Sequence, residues 1–278
     1  MISDRLLVVL AKILCATNII APLNKLPPEL LRTIFLYLRP SVHYDWEADP
    51  TPPYADLFAV SYVCHHWKEV AASATELWTN VIIRAPDSVP WEVEIPIARL
   101  CIRRSGMQPL DFFYGTAYAF NPFSAEELIP DRHRLRSVVY RHVDEDSGDE
   151  LVRFLLPALH LERQEIGGSG SFPFPTLFSD AAPCLRELVT SRCTPWPRNQ
   201  FGSLTSLSLL HQMDIDSNID FLNVLRRSPH LEELLLEREF GSSVESRHPQ
   251  EPKTRAIPLH SLKRLHICSV LAGATDVS

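Results

Sequence analysis

The sequence predicts an α/β protein in which a small helical unit precedes a repeated array of strands and helices. Two observations support this fold class. Apolar residues recur at helical spacing between residues 26 and 78, and a leucine pattern typical of strands recurs seven times between residues 110 and 267. The 278 residues suffice for one or two hydrophobic cores. We therefore expect three regions, at 1–22, 23–80 and 81–278.

Composition and charge narrow the class of function. The chain has 27 Lys plus Arg against 34 Asp plus Glu, which gives a formal net charge of -7. Because no overall positive field attracts polyanions, we expect neither a nucleic-acid partner nor a membrane partner. The chain has 23 prolines and only 9 glycines. This composition indicates a folded chain whose helices and strands are often ended by proline, and not a flexible low-complexity sequence.

The six cysteines are widely spaced, with no C-x-x-C pair and no zinc-type cluster with histidine. This pattern favours reduced thiols, and hence a cytoplasmic and/or nuclear location. We expect no metal site and no cofactor. Cys64-His65-His66 suggests thiol or metal chemistry at first sight, but a cysteine within an apolar stripe is more often a small buried hydrophobe.

The N-terminal segment 1–22 contains an apolar run from Leu6 to Ala21 that follows Arg5. The run is interrupted by Lys12 and is shorter than the ~20 apolar residues that cross a bilayer. We expect a buried helix here. A targeting segment and a wrongly assigned start of the gene remain alternatives.

The first amphipathic helix is predicted to begin at Leu26 and to end near Pro40. Pro27 and Pro28 fit the first turn of a helix, and Glu29 complements the helix dipole. Large apolar residues then recur at helical spacing: Leu30, Leu31, Ile34, Phe35 and Leu38. These exceed what one intramolecular face requires, so we expect this helix to contact a partner.

Residues 39–55 carry four prolines and three acidic side chains, a composition that neither a helix nor a central strand accepts. We interpret this segment as an exposed acidic loop. Asp56 can then cap a single second helix with one apolar stripe: Leu57, Val60, Val63, Cys64, Trp67, Val70 and Ala71. A short turn at 75–78 and a β-branched strand at 81–83 follow.

Four separated motifs within 23–80 resemble the F-box, the small helical module of ubiquitin-ligase adaptors: Leu26 to Leu31, Ile34-Phe35, Val63 to Trp67, and Glu76 to Trp78. The acidic insertion 39–55 is similar to insertions of fungal F-box-like proteins. The resemblance implies an adaptor without catalysis of its own, which binds a Skp-type linker and through it a cullin. The residues it assigns to linker binding are Leu26, Pro27, Pro28, Glu29, Leu30, Ile34, Phe35, Leu38, Val63, Cys64 and Trp67.

Region 81–278 contains copies of the pattern Leu-x-x-Leu-x-Leu. Three copies are clean, at Leu204, Leu231 and Leu262. Weaker copies start at Leu110 with Phe113, at Leu135, at Leu159 with Gln164 inward, and at Leu185. The starts lie 19 to 31 residues apart, and helical stretches are predicted between them at 149–156 and 219–227. The region resembles an irregular leucine-rich-repeat solenoid, which implies a parallel β-sheet with helices on the convex side.

In such a sheet, side chains between the patterned leucines point to the concave face, because side chains alternate along a strand. The resemblance therefore suggests a substrate-binding surface of charged residues: Arg136, Arg186, Glu187, Glu232, Glu233, Glu237, Lys263 and Arg264. With the uncharged Thr205, Ser206 and Ser208 between them, the charge runs from basic through neutral to acidic and back to basic. Such a surface suits an unknown protein substrate of mixed charge better than a nucleic acid.

No catalytic motif accompanies these features. The glycine-rich run at 167–171 lacks the lysine of a phosphate-binding loop, and the acidic run at 144–150 lacks the glycine and the distal glutamate of a calcium loop. We interpret the chain as the substrate-recognition adaptor of an SCF-type (Skp, cullin, F-box) ubiquitin ligase. The alternative is a leucine-rich-repeat scaffold that does not take part in ubiquitination. An enzyme is the weakest hypothesis.

Overall fold

A computed structural model describes nine stretches of the chain: residues 21–42, 52–84, 91–115, 129–143, 157–168, 182–191, 199–212, 218–240 and 257–271. They form two compact units. The first holds the described residues up to Ile82 together with Pro96–Leu110, and the second holds Ile83–Ile95 and the residues from Asp111 onwards. Residues 96–110 thus group with the N-terminal helices, although the sequence suggested region 81–278 for them. Most of segment 1–22 lies outside the described residues.

The described residues of the first unit up to Ile82 form short helices and turns. They are a 3-10 turn at Pro22–Lys25, helix α1 at Pro28–Leu36, α2 at Ala55–Val63, α3 at His65–Ser73, and a 3-10 turn at Thr75–Trp78. Pro28 begins α1, because proline has no N–H to lose in the first turn. The helix ends at Leu36, earlier than predicted, so Leu38 lies beyond it.

The prediction of one helix through Cys64 was wrong. Cys64 is extended, with φ -161 and ψ 170, and separates α2 from α3. Its carbonyl oxygen accepts a hydrogen bond from the N–H of Lys68 at 3.0 Å, which begins the first turn of α3. Because an extended residue cannot continue the helical hydrogen-bond ladder, the apolar stripe is divided between two helices.

The core of the first unit is built around aromatic rings. Phe35 and Trp78 are fully buried, and the indole N–H of Trp78 donates to the carbonyl of Ala71 at 2.8 Å. The ring of Phe35 lies 5.3 Å from that of Trp67, and the guanidinium of Arg104 lies 4.5 Å above Trp78. Satisfying the indole donor lets this large side chain be buried without losing a hydrogen bond.

The prediction of an exposed loop over 39–55 was wrong at both ends of the segment. Pro40, Val42 and Tyr54 are buried. The hydroxyl of Tyr54 donates to the carbonyl of Asn80 at 2.9 Å and accepts from the N–H of Ile82 at 2.8 Å. These bonds satisfy backbone groups that are hidden from water, so the ends belong to the core. Residues 43–51 lie outside the described part of the chain.

The β-strands form one sheet of eight in sequential order. They are β1 at Asn80–Ile83, β2 at Leu110–Gly115, β3 at Leu135–Val143, β4 at Arg163–Gly168, β5 at Glu187–Ser191, β6 at Ser206–Gln212, β7 at Glu233–Phe240 and β8 at Arg264–Leu271. Every pairing from β3 to β8 is parallel. The described connections include helix α4 at Trp91–Arg104, a 3-10 helix at Ile129–Arg134, and α5 at Asn218–Arg226.

The register aligns the patterned residues into two rows on one face of the sheet, here called the inner face. The first row runs Val138, Gln164, Leu188, Leu207, Leu234, Leu265, and the second runs Tyr140, Ile166, Thr190, Leu209, Leu236, Ile267. From β3 to β6 every residue of both rows is buried. The opposite face is called the outer face below.

Two predicted repeat copies need correction. Gln164 pairs with Val138 and Leu188, so the buried Leu161 begins this copy and Leu159 is exposed. Residue 164 is a glutamine where the pattern expects a leucine, and for this reason the sequence placed the start of this copy at Leu159 instead of Leu161.

In β2, Phe113 faces the wrong way for the predicted pattern. The rings of Phe112 and Tyr114 pack on Tyr140, while Arg141 lies 5.9 Å above Phe113. Because side chains alternate along a strand, Phe113 belongs to the outer face. The predicted helix at 219–227 is confirmed as α5, whereas 149–156 lies outside the described residues.

Candidate functional site

Helix α1 has apolar side chains on two faces. Leu31 and Phe35 are buried in the core, whereas Leu30 and Ile34 are 52% and 47% exposed. Helical geometry places Pro27, Leu30 and Ile34 in one row, and Pro27 is exposed as well. We call these three residues the α1 outer face. Leucine and isoleucine side by side on a surface favour contact with a partner, because burying them there would remove apolar area from water.

The remaining residues predicted to bind the linker have different environments. Pro28, Glu29 and Val63 are exposed, and four others are half-buried: Leu26, Leu38, Cys64 and Trp67. Phe35 is fully buried against the ring of Trp67, so it shapes the core and does not line the surface. The sequence could not separate Phe35 from Ile34, because both fit the same apolar spacing.

Several exposed apolar residues of the first unit were not selected from the sequence: Leu23, Leu36, Tyr37 and Tyr62. Tyr37 follows the last residue of α1, and Tyr62 lies near the end of α2. For Tyr37 and Tyr62, the only signal in the sequence was a large aromatic side chain near the end of a helix.

A bidentate ion pair fixes α1 relative to the turn at Thr75–Trp78. The guanidinium of Arg32 donates to both carboxylate oxygens of Glu76, one at 2.5 Å from Nη2. This hydrogen bonding lowers the pKa of Glu76 and raises that of Arg32, against an opposing effect of burial. The pair helps to hold the helix that carries the α1 outer face.

Ion pairs join side chains of neighbouring strands in the sheet. Arg136 Nε donates to Asp111 Oδ1 at 3.0 Å, and this hydrogen bonding raises the pKa of Arg136. Arg141 Nε donates to Glu165 at 3.0 Å. The next pair joins β4 to β5, with 3.3 Å between Arg163 Nη1 and Glu187 Oε2.

The predicted acidic patch on β7 is largely neutralised. Lys263 lies 2.8 Å from Glu232, and Arg264 pairs with Glu233. His211 Nδ1 lies 3.4 Å from Glu237, and His211 has a positive φ of 50 at an irregularity in the β6–β7 pairing. Arg186 is exposed, and no ion pair joins it to another described residue.

The sequence selected both members of only two of these six pairs, Lys263 with Glu232 and Arg264 with Glu233. It selected Arg136, Glu187 and Glu237, but not their partners Asp111, Arg163 and His211. The partners lie on neighbouring strands, and only the register brings them opposite one another.

The described parts of the chain lack two other kinds of site. No group of three or more His, Cys, Asp or Glu residues among them is arranged to hold a metal ion. No helix among them is long and apolar enough to cross a membrane. Cys101 is buried, and this burial raises the pKa of its thiol to about 12.

Residues 23–84 match the family model described as F-box-like. The match contains α1, α2, α3, the turn at Thr75–Trp78 and strand β1. It confirms the F-box resemblance of residues 23–80 and extends it to Arg84. No curated protein and no solved structure gives a significant match to the chain. The chain therefore carries an F-box-like domain at residues 23–84.

Proposed function

We propose that this chain is the substrate-recognition adaptor of an SCF-type E3 ubiquitin ligase. The F-box-like domain binds a Skp-type linker and thereby joins a cullin, while the sheet holds a protein substrate. The chain itself catalyses no reaction, and it acts in the cytoplasm or nucleus. It is an F-box-like protein of the fungal type, with its sheet formed by irregular leucine-rich repeats.

The α1 outer face is the observation that carries this proposal. It lies inside the segment that matches the F-box-like family, and its leucine and isoleucine are not used by the core. A short helix with a second apolar face is suited to docking in a hydrophobic groove of a partner. The F-box resemblance gives that partner as a Skp-type linker.

The sheet supports the second half of the proposal. Its strands follow one another in chain order, with the patterned leucines in two inner rows. The outer face carries a register-aligned row with the charged residues Arg163, Glu187, Glu233 and Arg264, next to a row that includes the apolar Val139, Val189 and Leu235. A broad surface of this kind is suited to a protein partner, and repeat proteins use such surfaces for binding.

The linker half is tested by co-expression with a Skp-type protein and co-purification. Leu30→Asp combined with Ile34→Asp should abolish linker binding, because two charges would have to be buried in an apolar interface. Both residues are about half exposed, so the variant should keep the fold. Leu159→Asp introduces one such carboxylate at another exposed leucine, outside the F-box-like domain, and is the control.

Equal linker recovery from the double variant and from the control would contradict the proposal. Absence of linker binding by the unmodified chain, together with stable capture of other proteins, would favour the scaffold alternative.

A further inference from the structure

One row of the outer face crosses the sheet with charges in a symmetric order. The register aligns one residue from each strand from β4 to β8, and we call this set the charged row: Arg163, Glu187, Ser206, Glu233 and Arg264. Arg163 Nη1 lies 3.3 Å from Glu187 Oε2, and Arg264 pairs with Glu233. Ser206 therefore lies between two carboxylates, and each carboxylate has its arginine on the strand farther from β6.

The two carboxylates make the position above Ser206 favourable for a cation. The side chains of Glu187 and Glu233 are 34% and 39% exposed, and among the described residues each is paired with a single arginine. Arg186 is exposed next to Glu187 in the chain, but no ion pair joins it to either glutamate. Because neighbouring strands are about 4.8 Å apart, one cation above Ser206 can reach both carboxylates. Charges of opposite sign on neighbouring strands stabilise each other, so such a cation would continue the alternation.

The next row of the outer face is uncharged on the same three strands. Two residues further along β5, β6 and β7 lie Val189, Ser208 and Leu235, in register with one another. Val189 is buried, and Ser208 and Leu235 are half-buried. Lysine and arginine place their aliphatic stems on apolar surface while the charged end stays in a polar environment. This row therefore suits the stem of a basic side chain whose charged end lies above Ser206.

We propose that the outer face binds a protein segment through a lysine or arginine, which lies above Ser206 between Glu187 and Glu233. The inference rests on the proposed function and deepens it, since it names the class of substrate that the sheet holds. Nucleic acids and acidic or phosphorylated segments are poor occupants, because both carboxylates repel their charge. The substrate is thus recognised by a basic residue with uncharged neighbours.

The probe is a displayed library of random short peptides, selected on the full purified chain. We expect enrichment of peptides that carry lysine or arginine beside apolar residues. One enriched peptide is then synthesised with a fluorescent label, and its binding to the chain is measured by fluorescence anisotropy. Since the contact is between charges near the surface, this binding should weaken as salt is added.

The first variant removes both charges and keeps the length of the side chains. Glu187→Gln combined with Glu233→Gln should weaken the enriched peptide about tenfold or more, because the basic side chain loses both carboxylates. Glu29→Gln combined with Glu69→Gln is the matched control, since it removes two exposed carboxylates in the first unit. The control should bind the peptide as the unmodified chain does.

The second variant leaves both acids in place. Ser206→Lys puts a cation of the chain itself between Glu187 and Glu233, so it should also block the peptide. The variant should fold, because Ser206 is half-buried and the new charge lies opposite two carboxylates. Ser203→Lys, at an exposed serine of the turn before β6, is the matched control and should leave binding unchanged.

The proposal is overturned if the unmodified chain enriches no basic peptides or prefers acidic ones. Equal affinity of the enriched peptide for Ser206→Lys and Ser203→Lys would also overturn it. Self-association of the unmodified chain that is lost in Ser206→Lys would assign the charged row to a second copy and overturn it as well. Linker binding is measured on the same proteins. Its absence from the unmodified chain would contradict the proposed function, whereas loss of the basic preference with linker binding retained would contradict only this inference.

Discussion

The F-box-like helices and the outer face of the sheet expose different chemistry. On α1, Leu30 and Ile34 lie uncovered, and a partner would gain about 25 cal/mol for each Å² of apolar surface it buries. On the sheet, charged residues such as Glu233 and Arg264 already pair with each other. A partner must replace or share those pairs, which yields little net energy but strong positional selectivity. The exposed apolar residues of α1 are therefore suited to tight binding of one partner, and the charged residues of the sheet are suited to discrimination between partners.

The largest expected effect separates the two faces of α1. Phe35→Ala should lower the free energy of unfolding by about 3–5 kcal/mol, because it leaves a cavity in the core. Ile34→Ala should cost less than about 1 kcal/mol, since half of that side chain is already in water. Denaturant unfolding of both variants measures the difference. Equal losses would mean that Ile34 is also a core residue.

A smaller effect concerns the buried end of the acidic insertion. Tyr54→Phe removes the hydroxyl that bonds to Asn80 and Ile82, so two buried backbone groups lose a partner. We expect a loss of about 1–3 kcal/mol, measured by thermal unfolding. Tyr62→Phe removes the hydroxyl of an exposed tyrosine and should change nothing measurable. Matching stabilities of the two variants would restore the exposed-loop interpretation.

The sheet should respond weakly to single charge changes and recover when the charges are exchanged. Glu233→Lys places two cations opposite each other on β7 and β8 and should cost about 0.5–1 kcal/mol. Adding Arg264→Glu restores an opposite-charge pair and should recover most of this loss. A double-mutant cycle in chemical denaturation gives the coupling energy. Zero coupling would show that the pair is only a surface contact.

The smallest expected effect is a pH dependence in the F-box-like domain. Because Arg32 lowers the pKa of Glu76, the pair stabilises the fold above the unfolded-state pKa of about 4.3, and this contribution is lost as the pH falls through the lower folded-state pKa. Glu76→Gln should be less stable than the unmodified chain by about 0.2–1 kcal/mol at pH 7, because the pair is largely exposed. The free energies of unfolding of the unmodified chain and of Glu76→Gln should become equal at acidic pH. A stability difference that persists at low pH would assign the effect to packing.

Local patterns in the sequence determined much of the fold. The prolines and apolar spacing predicted α1, the β-branched run predicted β1, and the clean leucine repeats predicted β6, β7 and β8. These elements depend on local backbone preferences and on the spacing of apolar side chains, so the sequence alone is enough to predict them. Helix α4 was missed, because Pro96 lies inside it and proline normally argues against a helix interior.

The tertiary structure alone decided which of the apolar and charged residues are available to a partner. Phe35 and Ile34 have equivalent spacing, yet packing against Trp67 buries only Phe35. The sequence shows no ion-pair partner next to Glu233, and only the register of β7 and β8 brings Arg264 opposite it. Ile267 of β8 is likewise exposed, whereas Leu209 in the same inner row is buried. Burial and pairing are relations between residues distant in sequence, and a linear pattern does not contain them.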